Sequence, residues 1–118
     1  MPKLITSSST TLQWLNNIRF EIERRSPFLE YKEGKYWASF KSLKTNRNIA
    51  YLQPQKSQIR LFVRINPSYE KSLQPTPSSG IWAEMYPSVF VMGSKNMIEK
   101  AIELIISSYE YDMQQKGK

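Results

Sequence analysis

The chain has no cysteine and no histidine. Without cysteine there is no disulfide framework and no thiolate metal site. Without histidine the usual general base, the usual zinc ligand and the side chain that titrates nearest neutral pH are missing. Glycine is scarce, with four residues at 34, 80, 93 and 117, and none belongs to a phosphate-cradling loop or flanks a nucleophilic serine. Acid pairs such as Glu21 and Glu23 stand two apart on a helical stretch and do not face each other. No apolar run approaches the ~18 residues that span a bilayer, and residues 1–11 lack the apolar core of a secretory signal. These absences point to a cytoplasmic protein apart from membranes, with no cofactor, no metal and no catalytic residue to name. Catalysis stays a minor alternative.

What is present is positive charge gathered in one stretch. Residues 32–71 hold nine basic side chains against two acidic ones, an excess equal to the formal +7 of the whole chain. The two flanking stretches nearly cancel. The same stretch carries Tyr36, Trp37, Phe40, Tyr51 and Phe62. A localised basic and aromatic surface attracts anions, of which nucleic acid is the commonest large one.

At 118 residues the chain suits a single domain spanning 1–118, with a core at 9–112 and frayed tails. Ser7, Ser8, Ser9 and Thr10 offer N-caps for a helix at 9–25. Leu12, Trp14, Leu15, Ile18 and Ile22 form its apolar stripe, Phe20 falls off that stripe and needs another contact, and Pro27 ends the pattern. Period two follows. Lys35, Trp37, Ser39 and Lys41 alternate with Tyr36, Ala38 and Phe40. Residues 48–53 read as a strand that a short polar connection joins to Ile59, Leu61, Val63 and Ile65, alternating with Arg60, Phe62 and Arg64. Residues 66–80, with three prolines, read as a long exposed loop. Residues 81–86 and 88–92 read as strand interrupted at Pro87, a bulge or edge signal. A second helix is expected at 95–112, on Met97, Ile98, Ala101, Ile102, Leu104, Ile105 and Tyr109. The fold class is α+β: an N-terminal helix, a mainly antiparallel sheet of four or five strands and a C-terminal helix, both helices on one sheet face.

Arg60, Phe62 and Arg64 should project to one side of their strand. Lys35, Trp37 and Lys41 share that face if the alternation holds. The basic groups would neutralise phosphates of DNA or RNA, and the rings would stack on bases. Lys44 and Arg47 are the next basic residues to consider. The competing reading is structural: basic residues on an outer strand face serve solubility and guard an edge, and Phe62 packs in a second small core or under the long loop. Two other functions stay open. One is a protein-interaction or oligomerisation domain, a homodimer included, using the sheet edge or the loop. The other is a small-ligand pocket near Trp82 and Tyr86, whose bland alternative is half-buried packing.

The run Tyr51-Leu52-Gln53-Pro54-Gln55-Lys56, then Ile59-Arg60-Leu61-Phe62-Val63, and the closing Leu104-Ile105-Ile106-Ser107-Ser108-Tyr109-Glu110 carry a resemblance. They resemble a small uncharacterised bacterial and archaeal domain of unknown function. That domain occurs alone or at the C-terminus of proteins called predicted transport proteins, some with a nuclease-like N-terminal part. The resemblance runs from the first helix to Glu110 and implies a compact α+β accessory domain. It supplies no activity and no catalytic residues. Members often carry glycine and histidine before the last strand; here residues 77–84 read Pro-Ser-Ser-Gly-Ile-Trp-Ala-Glu, without histidine. An activity depending on that stretch has no basis in this chain.

Overall fold

A computed structural model describes residues 6–77 and 80–116 of the protein. The chain runs α1 (Ser9–Arg25), β1 (Leu29–Glu33), β2 (Ala38–Ser42), β3 (Arg47–Pro54), β4 (Ile59–Val63), β5 (Gln74–Pro75), α2 (Ile81–Met85), β6 (Ser88–Met92) and α3 (Ile98–Lys116). This is the expected α+β architecture with six strands rather than four or five. The sheet order is β1-β2-β3-β4-β6-β5, and every neighbouring pair is antiparallel.

Helix α1 begins where the sequence places it. Ser8 is its N-cap: the Thr11 amide donates to Ser8 Oγ (3.2 Å), and the Ser8 amide donates to Thr11 Oγ1 (2.9 Å). This reciprocal pair satisfies two amides that the first turn leaves open. Leu15, Ile18 and Ile22 are fully buried, while Leu12 and Trp14 pack at the margin. Phe20 does not find the contact expected of it and stands 67% exposed. Helix α3 buries Ala101, Ile102, Leu104 and Ile105 and packs beside α1. It runs to Lys116, four residues past the expected end, and a 3-10 turn over Lys95–Met97 leads into it. Of the expected frayed tails, residues 1–5 and 117–118 lie outside the described residues.

The alternation of β4 sorts its side chains as expected, with Ile59, Leu61, Val63 and the following Ile65 all buried. The register carries this across the sheet. Ala38, Leu52, Leu61 and Phe90 form one row on the helix side, and Phe40, Ala50 and Val63 form the next. Two rows point the other way: Ser39, Tyr51, Phe62 and Val89, then Gln53, Arg60 and Val91.

Two readings are corrected and one strand is added. Strand β1 lies in residues 29–33, to which the sequence pattern assigns no element, because only Leu29 in it is buried and the period-two signal is weak. The long loop is not a plain exposed loop: Leu73 is 5% exposed, and β5 pairs with β6 as the far edge strand. Its Ser78 and Ser79 lie outside the described residues. Residues 81–85 are a one-turn helix rather than strand, entered from Gly80 at φ +84°, a backbone region that favours glycine. Pro87 accordingly separates α2 from β6 and interrupts no strand.

One irregularity in the sheet shapes the rest. Between β2 and β3 the register shifts: Phe40 faces Ala50, but Lys41 faces Asn48. Ile49 is the extra residue of a bulge, which is why both Ile49 and Ala50 are buried. A bulge takes carbonyls out of the ladder, and buried carbonyls need donors. Ser108 Oγ on α3 donates to the Ile49 carbonyl (2.6 Å) and accepts from the Arg64 amide (2.9 Å).

Candidate functional site: an aromatic groove on the second sheet face

The face away from α1 and α3 is not open. Phe62, Tyr86 and Val89 form a small second core there, with Trp37, Tyr51, Trp82 and Val91 half-buried against it. Helix α2 brings this about. A step of four residues puts Trp82 and Tyr86 on one side of a helical turn, with ring centroids 4.7 Å apart. Trp82 then lies 5.1 Å from Tyr51, 5.7 Å from Phe62 and 5.7 Å from Trp37. Most of these rings meet edge-on or tilted, as their quadrupoles favour.

Beside this cluster runs a groove of about 690 Å³. The rings of Trp37, Tyr51, Phe62 and Trp82 line it, Gln53 and Arg60 belong to its sheet floor, and Thr76 and Pro77 reach it from the loop. Gln53 and Arg60 are direct cross-strand partners. Among the described residues no acid pairs with Arg60, so its guanidinium stays available to a ligand. The ring spacing limits what can enter. A base sliding between two rings needs roughly 7 Å between their planes, twice a normal contact distance. These rings already touch, so stacking is confined to the outward sides of Trp37 and Trp82. The same closeness leaves no cage for a cation between rings.

The residues singled out from sequence divide into three groups. Trp37 and Arg60 line the groove. Phe62 lines it too, but at 4% exposure it is chiefly a packing residue, as the structural alternative held. Lys35 is exposed beside the Tyr36 ring, and Lys41 lies half-exposed on β2; neither lines the groove. Arg64 is drawn elsewhere, so the expected open strip of Arg60, Phe62 and Arg64 is not formed. Its Nε donates to the Asn48 carbonyl of the bulge (3.0 Å) and lies 3.9 Å from the carboxylate of Asp112. Its guanidinium stands 5.1 Å from the Tyr86 ring centroid.

Asp112 is the centre of that second network. Its side chain is 1% exposed, pairs with Arg47 at 2.8 Å and accepts from the Thr45 hydroxyl. The Tyr86 hydroxyl joins by donating to the Asn48 carbonyl (2.9 Å). Burial pushes the Tyr86 phenol up to about 12, with the Arg64 charge opposing. Tyr86 thus anchors the ring cluster from below and does not line the groove beside Trp82.

Tyr51, Gln53 and Thr76 were not singled out from sequence. The connection between β3 and β4 held the signal for two of them. Pairing Pro54 with Ile59 sets Gln53 opposite Arg60 and Tyr51 opposite Phe62. Thr76 had no local signal, since only the return of β5 along β6 brings it close.

Among the described residues no three acidic side chains converge on a common metal position, and no helix is long and apolar enough to cross a membrane. Comparison with family models, curated proteins and solved structures finds no match.

Proposed function

We propose that this domain binds single-stranded nucleic acid by seating a base in the aromatic groove. One observation supports it: half-buried indole rings and a guanidinium with no acid partner among the described residues line a single groove of about 690 Å³. Bases stack on the outward sides of Trp37 and Trp82, and Arg60 supplies positive charge at the floor. Lys35 and Lys41 lie outside the groove and suit phosphates on either side of the seated nucleotide. Duplex would have to open first, because a base stacked and paired in a helix does not offer its face to these rings. The reading makes the protein a non-catalytic intracellular module, in keeping with a chain that lacks cysteine. It also suits the accessory role implied by the resemblance to the domain of unknown function.

A second reading has one observation of its own. The groove volume falls in the range of small-molecule sites, about 300–1,000 Å³. A flat anionic small molecule would use the same rings and the same arginine.

Fluorescence anisotropy with labelled 12-nucleotide DNA and RNA tests the proposal. Binding is expected at low salt and should weaken steeply between about 50 and 200 mM salt. Trp82→Ala should weaken it by about 1–3 kcal/mol. Arg60→Ala should weaken it with a change in stability under about 0.5 kcal/mol, as for a surface side chain without a partner. No binding at the lowest salt by folded protein removes nucleic acid as the ligand. Binding untouched by both substitutions moves the site out of the groove.

A further inference from the structure

Taking the single-strand reading of the groove as its basis, we infer that Gln53 and Arg60 read the edge of the seated base and select oxo bases, guanine first, over adenine and cytosine. The inference comes from counting the hydrogen-bonding capacity left in the groove. Thr76 Oγ1 donates to the Tyr86 carbonyl and keeps acceptor capacity at the loop side of the groove, and the Tyr51 hydroxyl accepts from Asn48 Nδ2 at 2.7 Å and keeps its hydrogen to donate. The indoles of Trp37 and Trp82 can only donate. Arg60 can only donate, through a rigid fork. Gln53 adds both a donor and an acceptor on the sheet floor, and its amide makes no hydrogen bond among the described residues. The free groups on the sheet floor are therefore rich in donors, and the register of β3 and β4 places the Gln53 carbonyl, an acceptor, directly beside the arginine.

A base complementary to this set must offer adjacent acceptors and then one donor. Guanine does so around one corner: N7 and O6 accept on its Hoogsteen edge, and N1–H, next to O6 on the Watson–Crick edge, donates. The Arg60 fork takes N7 and O6, and the Gln53 carbonyl takes N1–H. Uracil and thymine offer a carbonyl beside an N–H, a partial match. Adenine and cytosine place an exocyclic amine, a donor, where the guanidinium needs an acceptor. Stacking favours the same choice, since a purine covers more of an indole than a pyrimidine does. Arg60 is assigned to the base because it lies on the groove floor among the rings, whereas Lys35 and Lys41 lie outside the groove and are left for phosphate.

The test uses the folded full chain and labelled heptamers with one variable centre: d(AAAGAAA), d(AAATAAA), d(AAACAAA) and d(AAAAAAA). Guanine at the centre should bind roughly five- to a hundred-fold tighter than adenine or cytosine, with thymine between. Inosine keeps O6, N7 and N1–H and should bind like guanine. 7-Deazaguanine loses N7 and should bind more weakly than guanine. Arg60→Lys keeps the charge and loses the fork, so it should abolish the preference while leaving the salt dependence nearly unchanged. Gln53→Ala should shrink the preference. Equal affinity for all four centres, or a preference for adenine or cytosine, overturns base selection and leaves the single-strand reading standing. A 7-deazaguanine probe that binds as well as guanine overturns the Arg60 assignment without any variant protein. If no heptamer and no longer oligonucleotide binds at low salt, the single-strand reading fails and this inference fails with it.

Discussion

The two faces of the sheet bury side chains by different means. On the helix side, mainly aliphatic residues of α1, α3 and five strands interlock, and most are completely buried. On the other side, five aromatic residues lean on one another under a single helical turn, and three of them keep part of their surface in water. The first face is closed by two long helices. Among the described residues the second is covered by α2 and the loop at Thr76 and Pro77, and part of its apolar area stays as a groove wall. The comparison teaches where specificity can reside. A fully packed face has nothing left to offer a ligand, whereas a half-covered one keeps both ring surface and unsatisfied hydrogen-bonding groups.

Substitution separates the faces most sharply. Leu61→Ala, on the helix side, should cost about 4 kcal/mol, since the helices cannot collapse into the cavity. Phe62→Ala, the next residue on the opposite face, should cost about 3 kcal/mol despite removing more atoms, because half-exposed Trp37 and Trp82 can settle into the space. Urea denaturation of the two variants measures this. A Phe62→Ala loss below about 1 kcal/mol would mean that the aromatic cluster contributes little to the fold.

Asp112 ties the faces together, from α3 on one side to Arg47 and Arg64 at the bulge. Asp112→Ala strands Arg64 near a buried carbonyl, but Arg47 is 42% exposed and can turn to water. The expected cost is therefore about 2 kcal/mol, less than for a fully buried ion pair. A chemical melt reads it, and an unchanged midpoint would show that the network is ornamental to stability.

The smallest expected effect is alkaline. The folded-state phenol of Tyr86 is raised to about 12 from an ordinary value near 10. A raised pKa means that the native state holds its proton more tightly than the unfolded chain. The stability this represents is whole below about pH 10 and is lost as pH rises through about 12. Tyr31 adds in the same direction, through burial and its hydrogen bond to Glu33. Tyr86→Phe should lessen the alkaline loss while keeping the ring contacts. The Asn48 carbonyl retains Arg64 as a donor. Thermal melts from pH 8 to 12 for both proteins measure it; identical pH profiles would detach the phenol from stability.

Much of the architecture was legible because it rests on periodicity. Leu15, Ile18 and Ile22 on α1, and Ile59, Leu61, Val63 and Ile65 around β4, bury the side that their spacing predicts. Residues 81–86 misled because a short alternation of Trp82, Glu84 and Tyr86 is also a step of four between Trp82 and Tyr86. Six residues cannot discriminate between the two periods. The groove was half legible: Trp37, Arg60 and Phe62 were picked out for their chemistry, while Gln53 and Tyr51 needed the strand register.

Spacing and composition suffice for the α+β class, the two amphipathic helices, the inward side of the central strand and the concentration of positive charge. Each follows from local spacing or from composition, which no distant contact can alter. Which charges remain available depends instead on contacts made across the folded chain. Arg60 and Arg64 are equivalent on the strand pattern. Yet the bulge at Ile49 frees the Asn48 carbonyl, which takes donors from both Arg64 and Tyr86, and α3 brings the buried Asp112 to hold Arg64 there. Arg60 meets no such demand and faces the groove. The physical reason is that a buried polar group must find a partner wherever the chain supplies one, and that partner is set by contacts between residues far apart in sequence.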